Sequence, residues 1–409
     1  MDDSKRPRVA RPRRRARRTA RLRAIMARRV LVLGSTGSVG RQSLDVLAGL
    51  RDSHVVVGLS AARSAQRLSE QARAFVPEAV ALADAAHAAE LQLPAGCRVF
   101  TGPEGLVQLV EHVAADVVIC GITGAAGLRS TLAACAGGGV VGLANKESLV
   151  LAGHLVRAAC RRSGARLVPV DSEHSALAQC LQGHDPAHVR RLVLTASGGP
   201  FRGWSAERLG GVTPAQALRH PSWDMGPRIT VDSATLMNKA LEIVEACRLF
   251  DLPPERISVV VHPQSVIHSM VEFTDGAVLA QLSPPDMRLP IRWALGYPGR
   301  VPSGAPPVNL ARLPGLSFEE PDTTAFPCLL LGPRVARAGG LTGTVLNAAN
   351  EVAVEAFLAG RLAFTSIHGL VADALDRCDN VAEPDLELIE ETDRRVRREA
   401  AACLPQTAS

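Results

Sequence analysis

The sequence predicts an α/β chain in three parts: a doubly wound parallel sheet, then an α+β region, then a helical bundle. Three observations lead there. Between residues 29 and 170, short apolar runs alternate with Ala-rich amphipathic stretches, the pattern of a parallel sheet with helices on both faces. Between 191 and 282 the apolar runs crowd together, and Thr274-Asp275-Gly276 joins two of them as a hairpin turn. After 325 only helical periodicity remains.

The first strand covers 29–33 and runs into Gly34-Ser35-Thr36-Gly37-Ser38-Val39-Gly40, followed by a helical pattern through Leu47. Strand, glycine turn and helix in that order make a dinucleotide cradle. Glycines let the backbone approach a pyrophosphate, and the helix N-terminus offers N–H donors. The spacing is GxxGxxG, so a plain tight turn competes with that reading. A second strand at 54–59 lies where an adenosine ribose is read, which favours the cradle and makes the region Rossmann-like. An acid after that strand would select NAD. The chain has Ala62-Arg63-Ser64 instead, and Arg63 without an acid favours the 2′-phosphate of NADPH, against a solvated helix start. Further strands are expected at 79–82, 98–100, 116–121 and 139–144. The last ends in Ala144-Asn145-Lys146-Glu147-Ser148. Asn145, Lys146 and Glu147 thus fall where ligands gather, at the carboxyl edge of the sheet; the alternative is a capped helix start.

Two acidic segments follow. A buried strand at 166–170 leads to Asp171-Ser172-Glu173-His174. In an extended chain, side chains two apart share a side, so Asp171 and Glu173 can grip one ion. A helix is expected at 174–182 and a strand at 191–195, with Ser197-Gly198-Gly199 then offering N–H groups and a hydroxyl to an anion. The stretch 220–227, with His220, Trp223, Gly226 and two prolines, reads as a loop with an exposed apolar tip. It is a mobile lid or, alternatively, a turn with Trp223 packed inward. Ile229-Thr230-Val231 reads as a strand leading through Ser233 to a helix near Thr235, on which Asn238, Lys239 and Glu242 share an edge. Asp171, Glu173 and Glu242 together suit a hard cation such as Mg²⁺ or Mn²⁺. Ser233, Asn238 and Lys239 beside them suit a phosphate. Either segment alone also reads as a capped helix with an acidic surface.

Strands at 257–261, 266–273 and 277–282 complete the middle region, and a short helix at 286–295 follows. Proline-laden residues 298–323 read as a linker, and helices are expected at 325–338, 344–359, 366–377 and 386–402. The implied division is a basic leader (1–28), a dinucleotide-binding domain (29–171), a catalytic and dimerisation domain (172–297), the linker, and a helical domain (324–409) with no obvious chemistry of its own.

Charge and composition narrow the function. Residues 1–29 hold 13 Lys/Arg against 2 Asp, a surplus of 11 in a chain whose net charge is +6, so the rest carries −5. With aromatics at 3%, a base-stacking nucleic-acid platform is disfavoured outside that leader. The leader lacks the apolar core of a secretory signal and is expected to be disordered, with Met26 an alternative start. Nine cysteines stand singly with no CxxC, which fits a reducing cytoplasm, and no apolar run reaches membrane-span length.

Motif order then identifies a family. GSTGSVG at 34–40, ANKES at 144–148, VDSEH at 170–174, SGGPF at 197–201, HPSWDMG at 220–226 and VDSATLMNKALE at 231–242 resemble the 1-deoxy-D-xylulose-5-phosphate reductoisomerases. HPQSVIHSMVEF at 262–273, MRLPI at 287–291 and NAANEVAVEAFL at 347–358 extend the resemblance over about residues 26–400. It implies a homodimeric enzyme, cytoplasmic or plastid-type, of the non-mevalonate isoprenoid pathway. Such an enzyme converts 1-deoxy-D-xylulose 5-phosphate and NADPH into 2-C-methyl-D-erythritol 4-phosphate. The resemblance implies Asp171, Glu173 and Glu242 as ligands of Mg²⁺ or Mn²⁺. It implies Lys146, Ser172, Glu173, Ser197, His220, Ser233, Asn238, Lys239 and Glu242 as substrate-binding, with Lys146, Glu173, Lys239 and His220 the candidate catalytic groups. Thr36, Gly37, Ser38, Val39, Ala62, Arg63, Ser64, Asn145, Glu147 and Gly226 are the implied cofactor residues. The family often has Gly-Lys-Asn where this chain has Ala62-Arg63-Ser64, which makes the ribose end the softest part of the correspondence. A semialdehyde dehydrogenase is the rival enzyme reading, but it needs a nucleophilic Cys paired with a His, and no Cys here lies in such a setting.

Overall fold

Short Val-, Ile- and Leu-rich runs have no polar face to turn to water, so they stack as the interior strands of a covered sheet. In the computed structural model seven strands form such a sheet, with the fourth and seventh at its edges: β1 (Arg28–Leu33), β2 (His54–Ala61), β3 (Ala79–Leu82), β4 (Arg98–Thr101), β5 (Val117–Cys120), β6 (Val140–Leu143) and β7 (Arg166–Pro169). All pair in parallel, in the order β4-β3-β2-β1-β5-β6-β7. The structure describes residues 27–405 except Ser222, Asp224, 303–306 and Pro314; the leader through Met26 lies outside that range. Strand order reverses between β1 and β5, which opens a crevice at the carboxyl ends of those two strands. The glycine turn enters this crevice. Gly34 has φ +73°, and a Cβ there would lie 2.7 Å from the Gly121 carbonyl oxygen, so only glycine fits.

A second sheet has the order β11-β10-β8-β9, from β8 (Val189–Ala196), β9 (Ile257–Val261), β10 (Ile267–Phe273) and β11 (Val278–Leu282). It is mixed: β10 runs antiparallel to both β8 and β11, while β8 and β9 are parallel. The expected hairpin joins β10 to β11. Backbone bonds between Val261 and Glu319 lay the linker against the β9 edge. Leu192 and Leu194 of β8 share one apolar cluster with Val231, Met237, Val345, Leu346 and Phe357. The helical end of the chain is therefore not a separate core. Its helices Leu331–Ala338, Thr342–Leu358, Ser366–Asp376 and Leu386–Ala402 lie close to the expected spans.

Three expectations are corrected. Residues 229–231 are not a strand; they lie inside the helix Pro227–Ala234. Three β-branched residues in a row suggest a strand, but Pro227 at the first helical position starts a helix. Thr230 Oγ1 then bonds back to the Gly226 carbonyl at 2.9 Å, and Val231 is fully buried. Asp171 and Glu173 are not on an extended segment either: Asp171 occupies the N-cap position of the helix Ser172–Leu181 and Glu173 its first turn. The helix Arg288–Gly296, expected with the middle region, packs its Ile291, Trp293, Ala294 and Leu295 into the core of the first sheet.

The helices Lys146–Ser163 and Thr342–Leu358 approach closely where Gly343 faces Val150; a Cβ at 343 would lie 2.0 Å from the Val150 carbonyl oxygen. Gly343→Ala is therefore expected to force these helices apart and lower stability by about 1–3 kcal/mol in denaturant unfolding. An unchanged midpoint and slope would show that the contact yields freely.

Candidate active site

Three helix starts deliver the acidic site. Lys146 opens Lys146–Ser163, just past Asn145, whose side-chain oxygen accepts from the Ser148 N–H as a helix cap. Asp171 and Glu173 come from the start of Ser172–Leu181. Asn238, Lys239 and Glu242 lie in the first two turns of Met237–Phe250, which begins after Leu236 in the left-handed region at φ +59°. That residue breaks the chain between two consecutive helices, and the second packs along Lys146–Ser163.

Ligand oxygens of Asp171, Glu173 and Glu242 lie within 4.8 Å of one another. The Lys146 ammonium touches the Asp171 carboxylate at 2.5 Å, Asn238 Oδ1 at 2.8 Å and Glu242 Oε1 at 3.2 Å. Lys239 pairs with Glu173 at 3.0 Å and also with Glu242. Asn238 Nδ2 donates to Glu242 Oε1 at 2.5 Å, and Ser172 donates to Glu173 at 2.5 Å. The helical spacing thus does bring Asn238 and Lys239 onto Glu242, at i,i+4 and i,i+3. Asp171 does not cap its own helix with its side chain, which is turned to Lys146 instead.

Electrostatics distinguish these carboxyls. Burial acts to raise Asp171, but the Lys146 charge beside it holds the group below the ordinary carboxylate range. Burial raises Glu242, and the neighbouring Glu173 charge adds to this against the two lysines. Glu245, one turn further on and fully buried, is raised well above normal, by burial first and the Asp171 charge second. Its two oxygens have no hydrogen-bond partner among the described residues, and His174 Nδ1 lies 3.5 Å away. His174 Nε2 meets the Glu242 carbonyl at 2.9 Å, tying that helix to Ser172–Leu181. Both lysines stay charged: burial opposes this, but Asp171 holds Lys146 up and Glu173 holds Lys239 up. Asp171, Glu173 and Glu242 offer an all-oxygen donor set within one small space, which suits a hard divalent cation.

A second group assembles from residues far apart in sequence. His220 Nε2 lies 3.1 Å from both Ser197 Oγ and Ser233 Oγ, and the Gly199 N–H reaches Ser197 Oγ at 3.2 Å. Burial keeps His220 below its usual pKa. Two hydroxyls, an imidazole and a glycine-rich turn are thus gathered in one place, a set of groups with the chemistry to take an anion. Trp223 is not an exposed tip: it is half-buried, its ring edge-on to His268 at 6.1 Å, and its backbone N–H donates to His220 Nδ1 at 3.0 Å.

The cofactor candidates fall at four places in the chain. Thr36, Gly37, Ser38 and Val39 form the turn after β1, and Gly37 at the N-cap position supplies no side-chain cap, so the first helical N–H groups stay available. Ala62, Arg63 and Ser64 follow β2 on the surface beside it; Arg63 pairs with Asp84 at 3.1 Å. Asn145 and Glu147 are buried at the end of β6, joined by a 2.8 Å hydrogen bond. Gly226 precedes the helix Pro227–Ala234, from which Arg228 reaches Glu147 at 3.4 Å.

Sequence reasoning passed over the helix Thr342–Leu358. Asn350 donates to Asp232 at 2.7 Å, and Asn347 and Glu351 bind Arg228 at 2.8 and 2.6 Å. Burial raises Asp232 to about 6. The signal was present: Asn347, Asn350 and Glu351 stand at i, i+3 and i+4 in an apolar helix, one polar edge on a buried element. His268, under Trp223, was also overlooked, although its motif was noted.

Comparison with known proteins agrees throughout the chain. A family model described as 1-deoxy-D-xylulose 5-phosphate reductoisomerase matches residues 30–153, and two models of C-terminal domains of that enzyme match 167–250 and 282–399. The chain is 50% identical over 375 residues to the 1-deoxy-D-xylulose 5-phosphate reductoisomerase of Nitratidesulfovibrio vulgaris, covering 91% of this chain and 92% of that one. It is 51% identical over 359 residues to that of Anaeromyxobacter dehalogenans, covering 87% and 92%. Among solved structures, the Zymomonas mobilis reductoisomerase in complex with NADPH superposes with a TM-score of 0.87 at 41% identity, covering 92% of this chain and 98% of that one. A reductoisomerase in complex with NADPH, fosmidomycin and magnesium gives 0.86 at 39%, with the same coverage.

Glu242→Gln is expected to weaken Mn²⁺ binding on the order of 100-fold, since it removes one carboxylate of three. Loss of the free-ion paramagnetic signal on titration measures this. Wild-type affinity in the variant would take Glu242 out of the ion-binding set.

Proposed function

The chain belongs to the 1-deoxy-D-xylulose 5-phosphate reductoisomerase family, and from that premise we propose how its residues divide the work of the reaction. It converts 1-deoxy-D-xylulose 5-phosphate into 2-C-methyl-D-erythritol 4-phosphate by skeletal rearrangement followed by reduction with NADPH. The observation that carries the assignment of the site is the convergence of Asp171, Glu173 and Glu242 beside two buried lysines. These three carboxylates hold Mg²⁺ or Mn²⁺. When bound, the ion polarises the substrate's ketone and hydroxyl oxygens and NADPH supplies hydride.

The chain's own groups bind, orient and move protons. Ser197, His220 and Ser233 take the phosphate, with Asn238 and Lys239 reaching toward it from the next helix. The phosphate is remote from the carbons that rearrange, so its binding energy can align the sugar and draw the Trp223 segment over it. Lys146 and Ser172 flank the carboxylates and orient the sugar hydroxyls. Lys146 and Lys239 are the candidate proton carriers at Nζ, because each already shares hydrogen bonds with a carboxylate that can exchange a proton with it. No nucleophilic side chain is required. Thr36, Gly37, Ser38 and Val39 receive the pyrophosphate, Ala62, Arg63 and Ser64 the adenosine end, and Asn145, Glu147 and Gly226 the nicotinamide end.

The working form is a homodimer joined through β11. This strand has one sheet neighbour among the described residues and exposes Val278 and Leu279, an apolar edge that a second copy can continue. A cytoplasmic location is supported by nine cysteines that are all free, four of them buried. No helix among the described residues is long and apolar enough to cross a membrane.

Oxidation of NADPH in the presence of 1-deoxy-D-xylulose 5-phosphate is expected to stop in chelator and to return with added Mg²⁺ or Mn²⁺; full turnover in chelator would refute the ion's role. Leu279→Lys is expected to shift the protein from dimer to monomer in sedimentation, and an unchanged dimer would move the interface elsewhere.

A further inference from the structure

One buried ionic hub joins Glu147 to the helical end of the chain, and none of the roles above uses its Arg228, Asn347 or Glu351. Arg228 is its centre. It is the second residue of the helix that follows Gly226, and only 22% of its side chain is exposed. One terminal nitrogen meets Glu351 at 2.6 Å; the other donates to Asn347 Oδ1 at 2.8 Å and lies 3.4 Å from Glu147. Asn347 Nδ2 donates to Glu351 at 3.0 Å, so the two partners on the helix Thr342–Leu358 hold each other. Behind them Arg397 grips Glu351 at 2.6 Å and is itself fixed by Asp393 at 2.7 Å.

The hub also sets the crevice wall. Gly124, in the loop after β5, has φ +77°, and a Cβ there would lie 3.0 Å from Glu351 Oε1 and 3.1 Å from Arg228 Nη1. The Gly124 carbonyl accepts from Asn145 at 3.0 Å, and the same Asn145 nitrogen donates to Glu147. Gly124, Asn145 and Glu147 are thus one hydrogen-bonded wall, and Arg228 is the group that pins it to the C-terminal helix. A guanidinium is suited to this because its planar fork serves three partners at fixed angles, which a lysine's single ammonium cannot.

We propose that Arg228 is a positioning residue for cofactor binding, holding Glu147 and the Gly124 loop against Asn347 and Glu351 so that the C-terminal helix shapes the nicotinamide end of the crevice. The inference rests on the reading of Asn145 and Glu147 as cofactor residues. It separates two functions that the sequence joins: the helix Pro227–Ala234 serves the phosphate through Ser233 and the cofactor through Arg228.

The test is NADPH affinity of the full chain, read by nucleotide fluorescence without metal or sugar phosphate, beside thermal melting. Arg228→Met is expected to weaken NADPH about tenfold, the scale seen when the support behind a binding residue is lost. KM for the sugar phosphate is expected to move less than about twofold, as uniform loss of one ligand's binding requires. Arg228→Lys is expected to restore the melting temperature through Glu351 while leaving NADPH weakened about threefold, because the fork is gone. Asn347→Ala, which removes no charge, is expected to weaken NADPH in the same direction and covers the case in which Arg228→Met does not fold. Variants that melt lower but bind NADPH like the parent would overturn the proposal and leave Arg228 as a structural tie. Unchanged affinity in Glu147→Ala would overturn the cofactor reading of Glu147 together with it. Weakened binding in Glu147→Ala with normal binding in Arg228→Met and Asn347→Ala would overturn the proposal alone.

Discussion

Charge compensation in a buried place is the constraint on which this molecule depends. Asp171, Glu173, Glu242 and Glu245 lie close together, largely out of bulk water, and among the described residues Lys146 and Lys239 are the cations paired with them. Buried carboxylates without partners would take up protons or loosen the fold. The lysines stop that for Asp171, while burial and like charge still push Glu242 and Glu245 upward. The site is thereby held together yet short of positive charge. A cation drawn into such a place has its ligands already gathered, so little ordering remains to oppose binding.

That arrangement needs three helix starts to meet, and the rest of the architecture serves this. The carboxyl edge of the first sheet brings Lys146 and Asp171 from β6 and β7, neighbouring strands whose following helices begin side by side. The helix Met237–Phe250 comes from the middle region and is locked in place by the His174 ring on the Glu242 carbonyl. Its other faces pack on Leu331–Ala338 and on Lys146–Ser163. The C-terminal helices are therefore not an appendage: they complete the core under the site, and Asn350 and Glu351 extend polar contacts to the segment that carries Ser233.

The anion pocket shows a different economy. Ser197, His220 and Ser233 come from the end of β8, a loop and a short helix, and a single imidazole nitrogen lies within hydrogen-bond reach of both hydroxyls. With His220 kept toward its neutral form by burial, the ring can orient hydroxyls without adding fixed charge. Lys239 faces the carboxylates, pairing with Glu173 and Glu242.

Much of this was legible in the amino acids. Short apolar runs bounded by turn residues marked all eleven strands within a few residues of their bounds, because that pattern is the signature of a strand packed in a sheet. The glycine turn was readable from its place between strand and helix, and the Asn238-Lys239-Glu242 edge from local spacing, since i,i+3 and i,i+4 neighbours meet in any helix; the acidic pair at 171 and 173 was found, but on an extended spacing that the helix start replaces. Where local preference and packing disagreed, the reading failed: Ile229-Thr230-Val231 has the side chains of a strand, and it is a helix because Pro227 starts one and the core takes Val231 on that helical face. Nor could spacing reveal that Asp171 faces Lys146, that His220 sits between two serines, or that Arg228 is held by Asn347 and Glu351, 119 and 123 positions further on. The residue types and their order determined the chemistry available to this protein; which of them share a few ångströms of buried space was decided only by long-range packing, because periodicity carries information about neighbours along the chain and none about neighbours across it.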